Sequence, residues 1–76
     1  MDDCWTDAIH ELQRARQLFP AKQNSAHEGF AVLLEEVDEL KAHVWTNQKK
    51  RDLAAMRKEA IQVAAMAIRF AEECCS

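Results

Sequence analysis

The sequence predicts an all-α fold in which three helices of one small domain assemble into an oligomeric helical bundle. The chain has one Gly, one Pro and no Tyr among its 76 residues, so few residues interrupt helices or favour strands. Apolar residues recur at three- and four-residue spacing in three segments, as expected for amphipathic helices. Residues 1–76 are therefore expected to form a single domain.

The first helix is expected to start at Asp2 or Asp3, because acidic residues suit a helix N-terminus. Pro20 ends it, since the residue before a proline avoids helical angles. The predicted apolar stripe consists of Trp5, Ala8, Ile9, Leu12 and Phe19, and the predicted solvent face of Glu11, Gln13, Arg14 and Gln17. His10 follows Asp7 by three residues, but we interpret it as a surface or core histidine rather than a metal ligand.

The second helix is predicted to start at Ser25, which forms a capping-box pattern with Glu28. Its predicted core face consists of Phe30, Leu33, Leu34, Val37, Leu40 and Val44. At about 100° per residue, a second stripe beside that face contains Val32, Glu36, Glu39 and His43. Asp38 points elsewhere on this helix and is expected to be a surface residue.

The third helix is predicted from about Asp52 to Glu73, after a solvated basic turn at 46–52. Met56, Val63, Met66 and Phe70 form one side of it, and mostly Ala and Ile cover the rest. Met66 is expected in the core. A helix that is apolar nearly all round is buried on more than one side, and a chain of this length buries little surface alone. We therefore expect a homodimer or tetramer.

The segment Leu33–Leu40 places four acidic residues within five positions, namely Glu35, Glu36, Asp38 and Glu39. A solvated acidic face would be an ordinary interpretation of such a run. Glu59, however, begins an otherwise apolar stretch of the third helix, and a buried carboxylate must be paired, protonated or bound to a metal. Glu36, Glu39 and Glu59 together would form an oxygen cluster suited to a hard divalent cation.

Composition and charge exclude several other classes of protein. Ten basic against thirteen acidic residues give a net charge of -3, which argues against a DNA or RNA partner. The three cysteines lack zinc-site spacing and are interpreted as reduced thiols. A signal segment and an apolar run of membrane-spanning length are both missing from the pattern. We expect a cytoplasmic protein without a membrane partner.

The pairing of Glu35-Glu36-x-x-Glu39 with Glu59, which nineteen residues separate from Glu39, resembles the all-α nucleoside triphosphate pyrophosphohydrolases of the MazG-like superfamily. The resemblance covers roughly residues 25–73, and the loop at 25–29 is similar to that of short phage- and cassette-type members. It implies a helical oligomer that uses Mg²⁺ to hydrolyse NTPs or dNTPs to monophosphate and pyrophosphate. Glu36, Glu39 and Glu59 match three metal-binding positions, and Glu35 matches the leading glutamate of the motif.

Gln62 stands where that family has the aspartate of its ExxD motif, so a neutral amide oxygen replaces a charged ligand. Two interpretations stay open. In the first, a pyrophosphohydrolase holds Mg²⁺ with Glu36, Glu39, Glu59 and Gln62, and Glu35 orients the attacking water. In the second, the chain is a non-catalytic helical protein that binds nucleotide or another protein. A di-iron carboxylate bundle is disfavoured because it needs Glu-x-x-His on two helices.

Four residues near the acidic run are candidate contacts to the base or phosphates of a nucleotide. Lys22, Asn24 and His27 lie around the start of the second helix, and Trp45 lies at the end of that helix. Trp45 has two interpretations, because an indole ring can stack on a base or close the core. The pattern does not indicate which nucleotide is the substrate.

Overall fold

The computed structural model describes residues 3–75 and contains three α-helices joined by two loops. Helix α1 spans Cys4–Leu18, α2 spans Ala26–Val44 and α3 spans Leu53–Cys74, with a short 3₁₀ helix at Gln48–Lys50. No strand occurs in this part of the chain, so the all-α prediction is confirmed. None of these helices is long and apolar enough to cross a membrane.

Each α-helix begins at a side chain that caps its N-terminus. Asp3 accepts a hydrogen bond from the backbone of Trp5 at 3.0 Å, and Asp52 accepts one from Ala55 at 3.1 Å. Ser25 accepts one from Glu28 at 3.1 Å, which confirms the predicted cap of α2. The alternative helix start at Asp2 lies outside the described residues.

Helix α3 is the centre of the fold, because the other two helices both pack against it. Helices α2 and α3 form a hairpin around the basic turn, and α1 packs on another side of α3. No Cα atom of α1 comes within 8 Å of a Cα atom of α2. A gap is therefore left between α1 and α2, with α3 as its floor.

The hydrophobic core is small. It consists of Leu12, Ala15, Ala65 and Met66, with the half-buried Val32, Leu33 and Ile68 packed against it. Met66 lies in the core as predicted, and Ala65 has no exposed surface. Among the described residues, no large side chain is completely buried.

The predicted core face of α2 is confirmed along one edge only, because Leu33, Leu40 and Val44 are half-buried. The rest of that face, Phe30, Leu34 and Val37, is 55%, 41% and 38% exposed, while the adjoining flank, with Gly29, Val32 and Glu36, is buried or half-buried. Gly29 accounts for the difference. A Cβ atom there would lie 2.7 Å from the Cys74 sulfur and 2.9 Å from the Phe70 ring, so glycine allows α2 to approach α3 along this flank.

The apolar stripe of α1 is only partly buried, and Trp45 is exposed. On α1 the small residues Ala8 and Ala15 are buried with Leu12, but Trp5, Ile9 and Phe19 are 78%, 50% and 64% exposed. Trp45 is 76% exposed and lies under the Lys41 ammonium, 5.7 Å from the ring centre. In the single chain Trp45 therefore does not close the core.

A buried arginine of α3 forms hydrogen bonds with the loop that follows α1. Arg69 is 5% exposed, and its Nε donates to Glu73 Oε2 at 3.1 Å. Its Nη2 donates to the carbonyls of Phe19 and Ala21, each at 3.2 Å. Glu73 also accepts a hydrogen bond from the backbone N–H of Gln23 at 2.9 Å. These contacts fix the loop at 19–24, which closes one end of the gap between α1 and α2.

Candidate metal centre

The structure brings the three predicted carboxylates together. Glu36 and Glu39 lie one turn apart on α2, where residues three apart share a face, and Glu59 meets them from α3. One carboxylate oxygen from each residue lies within 4.8 Å of the other two. Glu36 and Glu59 are half-buried, whereas Glu39 is exposed. The cluster is therefore open to solvent on the Glu39 side.

Gln62 lies one turn after Glu59 and reaches the same cluster. With its amide nitrogen turned inward, it donates to Glu59 Oε2 at 2.8 Å and to Glu36 Oε2 at 2.9 Å. With the amide turned the other way, its oxygen occupies the same position. The inward nitrogen suits a cluster without a cation, and the inward oxygen adds a fourth oxygen donor for one. The residues thus fit a hard divalent cation such as Mg²⁺.

Burial and mutual repulsion make this cluster hard to ionise. The pKa of Glu36 is raised to about 6, first by burial and then by the charges of Glu39 and Glu59. Burial also raises the pKa of Glu59, aided by a hydrogen bond and the charge of Glu39 and opposed by the charges of His43 and Lys58. A divalent cation would favour the ionised forms of Glu36 and Glu59.

We expect the metal-free protein to lose stability as the pH rises through the range in which Glu36 ionises. Folding raises the pKa of Glu36 from its ordinary 4.5 to about 6, so its contribution to stability is full below pH 4.5 and is lost as the pH passes 6. Urea unfolding in chelator, from pH 4 to 8, measures this loss as the difference between wild type and Glu36→Gln. Parallel pH profiles for the two proteins would contradict it.

Glu35 lies next to the cluster without being one of the three clustered carboxylates. Its side chain is exposed and lines the gap between α1 and α2. Asp38 is exposed, as predicted. The acidic run thus separates into two metal-ligand candidates, one carboxylate at the edge of the gap and one surface residue.

Helix α1 contributes two residues to this region, Glu11 and Arg14, both of which were predicted to lie on its solvent face. Arg14 Nε donates to both carboxylate oxygens of Glu11, at 3.2 and 3.1 Å. This interaction with Arg14 is the main cause that lowers the pKa of Glu11. Arg14 lines the same cavity as Glu36, so an arginine is held near the cluster. In sequence the pair looks like an ordinary surface ion pair at three-residue spacing.

The gap between α1 and α2 is a cavity of about 590 Å³ that adjoins the cluster. Glu36 and Gln62 line one part of it, and the loop with Lys22 and Asn24 lines another. The other two candidate substrate contacts, His27 and Trp45, are exposed and do not line the cavity. His27 lies nine residues before Glu36, about 14 Å along α2, and Trp45 lies six residues after Glu39, about 9 Å along it.

Comparison of this chain with protein-family models, with the sequences of characterised proteins and with solved structures finds no match.

Proposed function

We propose that this chain is a Mg²⁺-dependent nucleoside triphosphate pyrophosphohydrolase of the MazG-like kind. The observation that supports it best is the cluster of three carboxylates within 4.8 Å of one another, at the edge of a cavity of ligand size. These are the same glutamates on which the sequence resemblance rests. The reaction converts an NTP or dNTP and water to the monophosphate and pyrophosphate.

In this proposal Glu36, Glu39 and Glu59 hold the cation through carboxylate oxygens, and Gln62 adds its amide oxygen. Bound Mg²⁺ supplies positive charge to the triphosphate oxygens. Because Gln62 is neutral, the site presents one negative charge fewer to an anionic substrate than a site with aspartate would. The same substitution weakens its hold on a cation when no nucleotide is present.

The remaining residues act on the water and the phosphates. The Glu35 carboxylate accepts a proton from a water whose oxygen bonds to the α-phosphorus. The bond from that phosphorus to its bridging oxygen breaks, and pyrophosphate leaves. Arg14, held by Glu11 near the cluster, pairs with phosphate oxygens through its guanidinium.

The test is release of pyrophosphate from a panel of NTPs and dNTPs, measured with each of several divalent metals and with chelator. We expect release with Mg²⁺ and none with chelator. If no nucleotide yields pyrophosphate with any metal, the proposal is wrong.

The second candidate function, a non-catalytic helical binding protein, is favoured by one observation. With its nitrogen inward, the Gln62 amide donates hydrogen bonds to both Glu36 and Glu59. These hydrogen bonds stabilise the two carboxylates side by side without a cation. The two candidate functions predict different effects of Gln62→Asp on the binding of Mg²⁺ and nucleotide.

For the enzyme, Gln62→Asp should tighten Mg²⁺ binding to the free protein by about tenfold or more, because a charged ligand replaces a neutral one. Calorimetry of wild type and variant, with and without nucleotide, measures this change. Wild type should bind Mg²⁺ when nucleotide is present. If wild type binds neither ligand while Gln62→Asp binds both, the non-catalytic function is supported instead.

The proposal includes a homodimer or a tetramer. Phe30, Leu34 and Val37 form an exposed apolar stripe on α2, and the small core leaves the single chain with little buried apolar surface. Light scattering over a concentration series should give at least twice the mass of 8.7 kDa, and Leu34→Asp should lower it. A wild-type protein that stays monomeric and helical at all concentrations would contradict this prediction.

A further inference from the structure

We propose that one end of the helical bundle binds the surface of membranes that contain anionic lipids. This end, the tip, is where α1 and α3 begin and α2 ends. Six of its exposed side chains define it, namely Trp5, Lys41, Trp45, Lys49, Lys50 and Leu53. None of them is part of the carboxylate cluster or lines the cavity beside it, so the inference is independent of the proposed function.

The directions of the helices bring the starts of α1 and α3 to the same end of the molecule. Arg57, one turn after the start of α3, pairs with Asp7 of α1 at 2.8 Å. Arg16, near the end of α1, pairs with Glu72, near the end of α3, at 2.8 Å. Helix α1 therefore runs parallel to α3, and the two helices begin side by side.

The end of α2 is held at the same place by the turn that follows it. Arg51, just before α3, donates through its Nη2 to the carbonyl of Val44 at 2.7 Å. Trp45 directly follows α2 and Leu53 begins α3, so both lie at the same end as Trp5, the second residue of α1.

The tip carries the three most exposed large apolar side chains of the part of the chain that the structure describes. Trp5, Trp45 and Leu53 are 78%, 76% and 69% exposed. Side chains lean towards the N-terminus of their helix, so those of Trp5 and Leu53 lean out of the bundle. Apolar side chains exposed together in this way are typical of sites that bind a protein or a membrane.

The tip is also the basic end of the molecule. Residues 41–58 contain six of the ten Lys and Arg residues but only one of the thirteen Asp and Glu residues. The ion pairs between described residues involve none of Lys41, Lys49 and Lys50. These three ammonium groups are therefore available to an anionic partner.

The carboxylates near the tip do not cancel this charge. Asp3 and Asp52 cap α1 and α3, and Asp7 pairs with Arg57. Most other acidic residues lie further along a molecule that is 41 Å long, whereas the Debye length at physiological salt is about 8 Å. The tip therefore attracts an anionic surface although the whole chain has a net charge of -3.

A lipid surface supplies a partner for both kinds of side chain at the tip. Indole rings favour the boundary between the headgroups and the acyl chains, and an exposed leucine gains free energy by leaving water for hydrocarbon. Lysines beside them pair with anionic headgroups. Binding of this kind requires no membrane-spanning segment. The expectation of no membrane partner rests only on the absence of signal and spanning segments.

Three other occupants match the tip less completely. Single-stranded nucleic acid would stack on the indoles and pair with the lysines, but it offers no apolar partner to Leu53. A second copy would bring two basic tips together, and like charges repel. A peptide segment needs a groove, but Trp5, Trp45 and Leu53 line neither the cavity between α1 and α2 nor a smaller one between α1 and α3.

The experiment uses the fluorescence of the chain itself, because both of its tryptophans lie at the tip and it has no tyrosine. The protein is titrated with vesicles of phosphatidylcholine alone and of phosphatidylcholine mixed with phosphatidylserine. We expect the mixed vesicles to shift the emission to shorter wavelength and brominated lipid in them to quench it. The mixed vesicles should bind about tenfold or more tightly than phosphatidylcholine alone, and added salt should weaken this binding.

Two variants with matched controls separate the charged and the apolar contributions. Lys49→Glu should weaken binding to the mixed vesicles about tenfold, whereas Lys22→Glu makes the same change of charge at the opposite end and should leave it unchanged. Leu53→Ala should weaken it about fivefold. Phe19→Ala removes a side chain that is 64% exposed at the opposite end and should have no effect. All four keep both tryptophans, and circular dichroism checks their folding.

The inference is overturned if mixed vesicles leave the emission of wild type unchanged at low salt. It is also overturned if folded Lys49→Glu and Leu53→Ala bind them as wild type does. Quenching by a single-stranded oligonucleotide, without any response to vesicles, would assign the tip to nucleic acid instead. A lower mass of Leu53→Ala in light scattering, again without any response of wild type to vesicles, would assign the tip to a contact between subunits.

Discussion

Glu59→Gln is expected to abolish Mg²⁺-dependent pyrophosphate release and to leave the helices intact. The carboxylate of Glu59 lies within 4.8 Å of those of Glu36 and Glu39, and the substitution replaces a charged metal ligand with a neutral one. Because the repulsion within the cluster falls, the free energy of unfolding in chelator should be unchanged or higher. Glu39→Gln should behave in the same way. Pyrophosphate release and thermal unfolding followed by circular dichroism measure both effects.

Asp38→Asn is the matched control for these two variants. It removes one negative charge from the same acidic run, but Asp38 is exposed and lies outside the cluster. Its activity should stay near that of wild type. Wild-type activity in folded Glu59→Gln would show that the carboxylate is not a metal ligand. Loss of activity only in proportion to unfolding would show the same.

The second large effect is expected in Arg69→Met, which should lower the free energy of unfolding by about 3 kcal/mol or more. The guanidinium of Arg69 is buried with Glu73 and also binds two carbonyls of the loop. Its removal leaves those carbonyls without a donor and weakens the pairing of a buried carboxylate. Urea unfolding measures the change.

Arg16→Met is the control, because Arg16 binds the same Glu73 carboxylate at 3.3 Å from a side chain that is 38% exposed. Solvent screens such a pair, so its loss should lower the free energy of unfolding by at most about 1 kcal/mol. Equal losses in the two variants would contradict the role of burial at Arg69.

The helices could be predicted from the sequence because their signals are local. Ser25 and Asp52 cap the helices that follow them, and Pro20 follows the end of α1. The cluster could be predicted because Glu36 and Glu39 share a helix face at fixed spacing, and because Glu59 stands alone in an apolar run. These inferences need no knowledge of how the helices pack.

The orientation of α2 could be predicted only in part, because the side that packs closest to α3 depends on a contact between distant residues. Gly29 allows α2 to approach Cys74 and Phe70 of α3, which turns Phe30 and Leu34 towards solvent. Apolar periodicity identifies a stripe but not the neighbour against which each residue packs.

The residues that line the cavity also could not be predicted from local sequence patterns. Gln23 lies in a polar loop, and its burial follows from contacts of that loop with Glu73 and Cys74. Arg69 has a partner four residues away in sequence, yet nothing in the pattern shows that the pair is buried. Both assignments require the positions of elements about fifty residues apart in the chain.

The central claim is tested most directly by ³¹P NMR of one nucleoside triphosphate at a time, incubated with the protein and Mg²⁺. The account predicts that the triphosphate signals are replaced by those of monophosphate and pyrophosphate, with no change in chelator or with Glu59→Gln. Formation of diphosphate and orthophosphate would place the cleaved bond elsewhere. Persistence of every nucleotide unchanged in the presence of folded wild-type protein would contradict the claim that this chain is a pyrophosphohydrolase.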